Sequence, residues 1–130
     1  SKSHDNTLNI FDDAKTLKKV INKQIVTDAT PLEEPKNPDS AVVYNLYKLI
    51  TSESDAQKMA ASLRAGGYGW GHAKKALLEA LVDGFASERA NFNELMSNRE
   101  EIDFALAQGA DRARLVASEV LSRVRGKIGY

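Results

Sequence analysis

The sequence contains no cysteine. Disulfides, thiol nucleophiles and thiolate metal sites are therefore excluded together, and the absence fits a reducing compartment. Histidine is scarce too, with only His4 and His72. A nucleophile–histidine pair or a histidine-built zinc site has little to draw on, and no HExxH, GxSxG or phosphate-loop pattern occurs, so no metal site is expected. No apolar run approaches the ~20 residues that cross a bilayer, and no signal-peptide pattern precedes the first helix. A soluble, cytoplasmic chain with no membrane partner is the expectation. Formal net charge is zero, so the whole chain is not a nucleic-acid-binding polycation.

What is present is an ordinary globular balance, 42% hydrophobic and 28% charged, in a length that suits one compact core. Charge is unevenly placed. Between Gln57 and Leu78 the charged side chains are Lys58, Arg64, Lys74 and Lys75, without an acid, and the stretch from Ala110 to Tyr130 is also basic. Between them Glu94, Glu100, Glu101 and Asp103 face Arg99 alone. Solvated helix faces explain such segments, and so does a phosphate-bearing partner.

The periodicity predicts an all-α fold, an irregular N-terminal arm followed by a bundle of five to six helices. Asp12 or Asp13 caps a first helix with Leu17, Val20 and Ile21 inward. The stretch VTDATPLEEPKNPDS holds all three prolines and reads as a loop, which makes it the internal boundary: residues 1–30 form an arm and connecting helix, residues 31–130 a helical domain. A second helix starts at Ser40, or at Asn37 with Pro38, and turns Val43, Leu46, Tyr47 and Ile50 inward. Ser54 with Gln57 suits a capping box for a third, which buries Ala56, Met59, Ala60 and Leu63 and stops at Gly66. A long fourth helix is expected from Trp70 to Met96, with Leu77, Leu78, Leu81, Val82, Phe85, Phe92, Leu95 and Met96 on one arc. Glu88 and Arg89 fall inside that arc and need partners, because buried charge is costly unpaired. A short fifth helix runs to Gly109, and a last one from Ala110 to about Arg125 turns Ala113, Val116, Ala117, Val120, Leu121 and Val124 inward.

Two short stretches carry possible chemistry. In GGYGWG the glycines free the backbone while Tyr68 and Trp70 offer flat faces beside Lys74 and Lys75. Those faces suit stacking on an unpaired base, and a turn anchored by two core aromatics explains the same letters. The opening SKS places one ammonium between two hydroxyls, a set that suits polyphosphate oxygens. On its own, a three-residue match carries little weight.

Longer stretches add context. SKSHDNTLNIFDDAKTLKKVI resembles the segment that begins inside the KMSKS signature of class I aminoacyl-tRNA synthetases and continues as in the bacterial tryptophanyl-tRNA synthetases. The likeness runs through IVTDATPLEEPKNPDS and GGYGWGHAKKALLEAL to EEIDFALAQGADRARLVASEVLSRVR, covering essentially the whole chain. A tyrosyl enzyme shares the KMSKS idea, but the glycine-rich turn and the last helices favour the tryptophan family. The resemblance implies a C-terminal portion of such an enzyme, lacking the Rossmann half with its HIGH signature and amino-acid pocket. It implies that Lys2 is catalytic, that Ser1, Lys2 and Ser3 bind ATP, and that Asn6 and the helix begun at Asp12 set the loop's base. ATP, with magnesium, would be a substrate of the complete enzyme, with tryptophan and tRNA(Trp) as the other partners and a homodimer as its assembly. These 130 residues alone would be inactive. Charge and aromatic placement name Lys58, Arg64, Tyr68, Trp70, Lys74, Lys75 and Arg112 as tRNA-binding candidates. A reading from a different class stays open here: a freestanding helical module that binds RNA or protein without catalysis.

Overall fold

A computed structural model describes residues 7–129. Among them are six helices and no strand: α1 (Ala14–Gln24), α2 (Val42–Ile50), α3 (Glu53–Ala65), α4 (Trp70–Gly84), α5 (Ala86–Ser97) and α6 (Arg99–Ile128). The chain divides into two compact units, one ending at Arg89 and one beginning at Ala90, so the division falls inside α5.

In the first unit, α1 starts where Asp13 accepts from the amides of Lys15 and Thr16 at 2.8 and 2.9 Å. These bonds satisfy helix donors that have no intrahelical partner. Leu17 and Ile21 are buried as the spacing predicts. The cap of the third helix lies two residues before the expected one. Ser52, not Ser54, takes the position: its hydroxyl accepts from the Asp55 amide at 3.2 Å and donates to the Asp55 carboxylate at 2.8 Å. Ala41, which has no capping side chain, precedes α2, while Ser40 is spent on the Asn37 carbonyl. Ala56, Met59, Ala60 and Leu63 all face the core as expected. Tyr44 and Ala73 join them there, although the stripes drawn from sequence omit both. Contacts run from α4 to both α1 and α2, and from α2 to α3.

The proline-bearing connection between α1 and α2 has no helix of its own, and its backbone is held from within. Lys36 is only 4% exposed. Its Nζ donates to the carbonyls of Pro31, Leu32 and Glu34 at 2.6, 3.2 and 2.9 Å, which compensates the burial of the ammonium without an acid. The Lys36 amide reaches the Leu63 carbonyl in the last turn of α3 at 2.8 Å, and the Gly67 amide reaches the Leu32 carbonyl at 2.9 Å.

Two helix boundaries differ from the periodic reading. The expected Trp70–Met96 helix is two helices, broken at Gly84 and Phe85. Arg89 explains what the break achieves: its guanidinium bonds to backbone carbonyls rather than to an acid on a neighbouring helix. Glu88 is exposed and accepts from the Ser87 hydroxyl. In the other direction, α6 runs unbroken through Gly109, the expected stop. One glycine costs a helix interior only about 1 kcal/mol, and strong helix formers flank it on both sides.

The second unit, taken by itself, has no buried residue in α6, and none is buried anywhere along α5. Val116, Val120, Leu121 and Val124, expected inward, are exposed. Their spacing still lays them on one helical face. Among the described residues, burial is concentrated before Arg89 rather than spread along the chain.

Gly66 ends α3 at φ 81°, and a Cβ placed there would run into the Glu33 carbonyl oxygen; Gly67 at φ 75° faces open space. Gly66→Ala should therefore lower unfolding stability by about 2 kcal/mol or more. Gly67→Ala should cost about 1 kcal/mol, for its backbone angle alone. Denaturant titration of both variants checks the difference, and equal losses would show that the Glu33 approach is not a constraint.

Candidate functional site

Ser1, Lys2 and Ser3 lie outside the described residues, as does Asn6. The arm that follows them is well defined. Asn9 folds it into a turn: the Asn9 carbonyl accepts from the Asp12 amide at 3.0 Å, its side-chain oxygen accepts from the Phe11 amide at 3.2 Å, and its side-chain amide donates to the Asp12 carboxylate at 2.8 Å. Leu8 and Ile10 pack against the core beside this turn.

The glycine-rich stretch shapes the start of α4. After Gly66 and Gly67, the Gly69 amide donates to His72 Nδ1 at 3.3 Å, a cap supplied from inside the helix. The Tyr68 ring lies 5.5 Å from the His72 ring, centroid to centroid, and burial holds the Tyr68 phenol above its ordinary pKa. Trp70 donates from Nε1 to Asp28 at 2.9 Å, and the Lys36 ammonium stands 5.9 Å from its ring centroid. Both aromatics are half-buried and packed on the core, so these letters build an anchored turn. Their flat faces are committed in large part to intramolecular contacts.

Among the seven basic and aromatic candidates, Lys74 and Lys75 come together in a groove of about 390 Å³ between α1 and α4. Lys18 on α1 completes a group of three ammonium groups there, over a floor that includes Ile21 and Leu78, with Glu79 at the edge. Lys74 donates to the Asn22 carbonyl across the groove at 3.4 Å, and Lys75 stands 3.7 Å from Glu79. Nothing in the sequence distinguishes Lys18, because it reads as one of several lysines on the outer face of α1. Its relation to Lys74 is tertiary.

The other candidates go elsewhere. Lys58 and Tyr68 line a shallower hollow of about 190 Å³ with Tyr47 and Asp55. Lys58 is 2.8 Å from Asp55, and their hydrogen bond raises the lysine pKa and lowers that of the acid. Arg64 pairs with Asp39 at 3.4 Å. Arg112 is an exposed residue of α6, in the second unit. Among the described residues no cluster of three or more acidic or histidine side chains could hold a metal ion, and no helix is long and apolar enough to cross a membrane. Chemically, the α1–α4 groove offers ammonium donors over an apolar floor, an arrangement suited to phosphate oxygens of an extended polyanion.

No family model matches the sequence. Comparison with curated proteins and solved structures gives a consistent likeness. A tryptophan–tRNA ligase of Rhodopirellula baltica is 43% identical over 99% of this chain, which spans 40% of that protein. One from Fusobacterium nucleatum is 36% identical over 99% of the chain, again covering 39% of the relative. The crystal structure of tryptophanyl-tRNA synthetase from Campylobacter jejuni superposes on the whole chain with a TM-score of 0.92 at 38% identity, through 42% of its own length. A second structure of the Campylobacter jejuni enzyme, complexed with ADP and tryptophan, matches equally well. The chain thus spans about 40% of the length of the relatives it matches, and it is similar to them in sequence and in fold throughout.

The Trp70–Asp28 bond has a pH signature. The Thr30 hydroxyl first, then the Thr30 amide and the Trp70 indole, hold the Asp28 carboxyl below its ordinary pKa. A folded-state pKa below the unfolded one means that the unfolded chain binds more protons. The contribution is therefore complete above the unfolded carboxylate pKa of ~3.9 and is lost as pH falls from there through the folded value. Asp28→Asn should flatten this part of the acid limb of a melting-temperature profile while leaving its slope above pH ~5 unchanged. An unaltered acid limb would remove Asp28 from the list of groups that sense acid.

Proposed function

We propose that these 130 residues, homologous over their whole length to one region of the tryptophan–tRNA ligases, form the C-terminal part of such an enzyme. The observation that carries the proposal is the coincidence of sequence and fold: 38% identity at a TM-score of 0.92 across the entire chain, to an enzyme also known complexed with ADP and tryptophan. The relatives support this reading over a freestanding module or a tyrosyl enzyme, since those compared are tryptophan enzymes.

In this reading the complete cytoplasmic enzyme activates tryptophan with ATP, entering as its magnesium complex, and transfers it to tRNA(Trp), working as a homodimer. Ser1, Lys2 and Ser3 are the end of a loop that closes on ATP. The Lys2 ammonium meets the charge that grows on the departing pyrophosphate, and the serine hydroxyls orient its oxygens. Such a group acts mainly in the transition state, so its loss is felt in rate more than in amino-acid binding. Residues 31–130 carry most of the tRNA side, and α1 adds Lys18 to it. The α1–α4 groove with Lys18, Lys74 and Lys75 takes backbone phosphates, and Lys58, Arg64 and Arg112 are further contacts within the proposal, while Tyr68 and Trp70 serve the turn that sets the start of α4.

In the complete ligase, Lys2→Ala should slow adenylate formation about 100-fold, with tryptophan affinity changed less than about twofold. Equal loss of both would point to misfolding and against the assigned role. The 130-residue chain alone should show no ATP–pyrophosphate exchange, and measurable exchange by the pure chain would contradict the division of labour proposed here.

For tRNA, replacing Lys18, Lys74 and Lys75 together with glutamine should reduce the slope of log affinity against log salt by about one for each phosphate no longer neutralised. A parallel shift of the line with no change in slope would place the phosphates elsewhere.

A further inference from the structure

Arg89 is a half-buried cation that, among the described residues, forms no ion pair. Every nitrogen of its guanidinium is nevertheless engaged. Nε donates to the Asp12 carbonyl at 3.1 Å and Nη2 to the Ile10 carbonyl at 2.9 Å, both in the arm. Nη1 donates to the Val82 carbonyl at 3.1 Å, and Nη2 also reaches that of Leu81 at 3.3 Å, both in the last turn of α4. The planar fork thus bridges two segments far apart in sequence, with its arm partners 77 and 79 positions away.

The break at Gly84 and Phe85 makes this geometry possible. On a straight helix, residue 89 would lie about 10 Å of rise beyond Val82, and the carbonyls of Leu81 and Val82 would be consumed by the helix ladder. Ending α4 leaves those carbonyls at the negative end of its dipole without intrahelical donors, and restarting the chain as α5 brings Arg89 back onto them. The cation is stabilised there by oriented carbonyls. Its remaining donors are then directed at the arm.

The arm is also prepared to receive them. The Asn9–Asp12 turn is closed by its own hydrogen bonds, Ile10 is packed on the core, and Asp13 immediately begins α1. Arg89 fastens this preformed turn to α4 from one side while α1 fastens it from the other. Residues N-terminal to the turn are the Ser1–Lys2–Ser3 stretch and its short connection. We propose that Arg89 is a positioning residue for the ATP loop, fixing the root from which Lys2 reaches its substrate. The inference rests on the ligase reading above. Lysine could not replace it, since a single ammonium lacks the fork that spans both segments.

The test compares Arg89→Ala, Arg89→Lys and Lys2→Ala in the complete ligase by ATP–pyrophosphate exchange, with tryptophan binding measured separately. Misplacement of a catalytic group by an ångström or so is felt strongly in rate, so Arg89→Ala should lower kcat for exchange about tenfold or more, with tryptophan affinity within about twofold of the parent. Arg89→Lys should fall between the two. Amide hydrogen exchange should show lost protection at Asp12, whose amide closes the arm turn, with α2 and α3 protected as before. If Arg89→Ala unfolds the protein, Arg89→Lys carries the same comparison. Normal exchange in the Arg89 variants while Lys2→Ala is slow overturns the positioning role and leaves the ligase reading intact. So does a loss of rate matched by weakened tryptophan binding and global loss of protection. Normal exchange in all three variants overturns the assignment of Ser1, Lys2 and Ser3 itself.

Discussion

The first unit depends on one buried ammonium. The connection from α1 to α2 carries all three prolines, cannot form a helix, and presents backbone carbonyls that must be satisfied somewhere. Lys36 gathers three of them at its Nζ and is itself withdrawn from water. The fold tolerates a buried cation there because its three donors are matched by three acceptors, with no carboxylate to desolvate alongside it. Several features rest on that arrangement. The Lys36 amide ties the loop to the end of α3, the loop returns the Leu32 carbonyl to Gly67, and the ammonium faces the Trp70 ring. The turn that starts α4, and with it the placement of Lys74 and Lys75, is consequently defined by a segment with no regular structure of its own.

How much of this is legible in the sequence varies by element. The helices before Arg89 are readable because each has a buried face with clear spacing: Leu17 and Ile21 in α1, Ala56 through Leu63 in α3, Leu77 and Leu81 in α4. Their exact caps are less so, since Ser52 and Ser54 carry the same hydroxyl two residues apart and it is Ser52 that caps α3. The loop's internal hub is invisible, because a lysine among prolines and glutamates reads as solvated. Beyond Arg89 the pattern misleads. An apolar stripe at helical spacing predicts burial, yet α6 keeps the spacing without the burial. Periodicity reports which residues share a face, not whether anything covers it.

The candidate site shows the same division. Local charge is enough to find Lys74 and Lys75, but Lys18 needs the α1–α4 packing to join them. Tyr68 and Trp70 fit a stacking surface and a structural turn equally well as letters; the Asp28 bond, the Lys36 contact and the His72 ring favour the turn. Arg89 reads as a charge on an apolar arc that needs a partner. Its partners are carbonyls, which sequence does not display at all, and they exist as free acceptors only because the helix ends five residues before it.

These observations converge on α4. Its first turns carry Lys74 and Lys75 toward Lys18 on α1, and its last turn supplies the carbonyls that hold Arg89, whose other bonds hold the arm entering α1. The two helices pack together, with Ile21 and Leu77 in one core. The groove proposed for phosphates and the root proposed for the ATP loop are therefore referenced to the same pair of helices. Close-packed interiors resist continuous deformation, so a displacement of α1 along α4 would disturb the ammonium cluster and the arm together. The groove and the arm are then two ends of one packed element, and the chemistry assigned to each depends on keeping the register between α1 and α4.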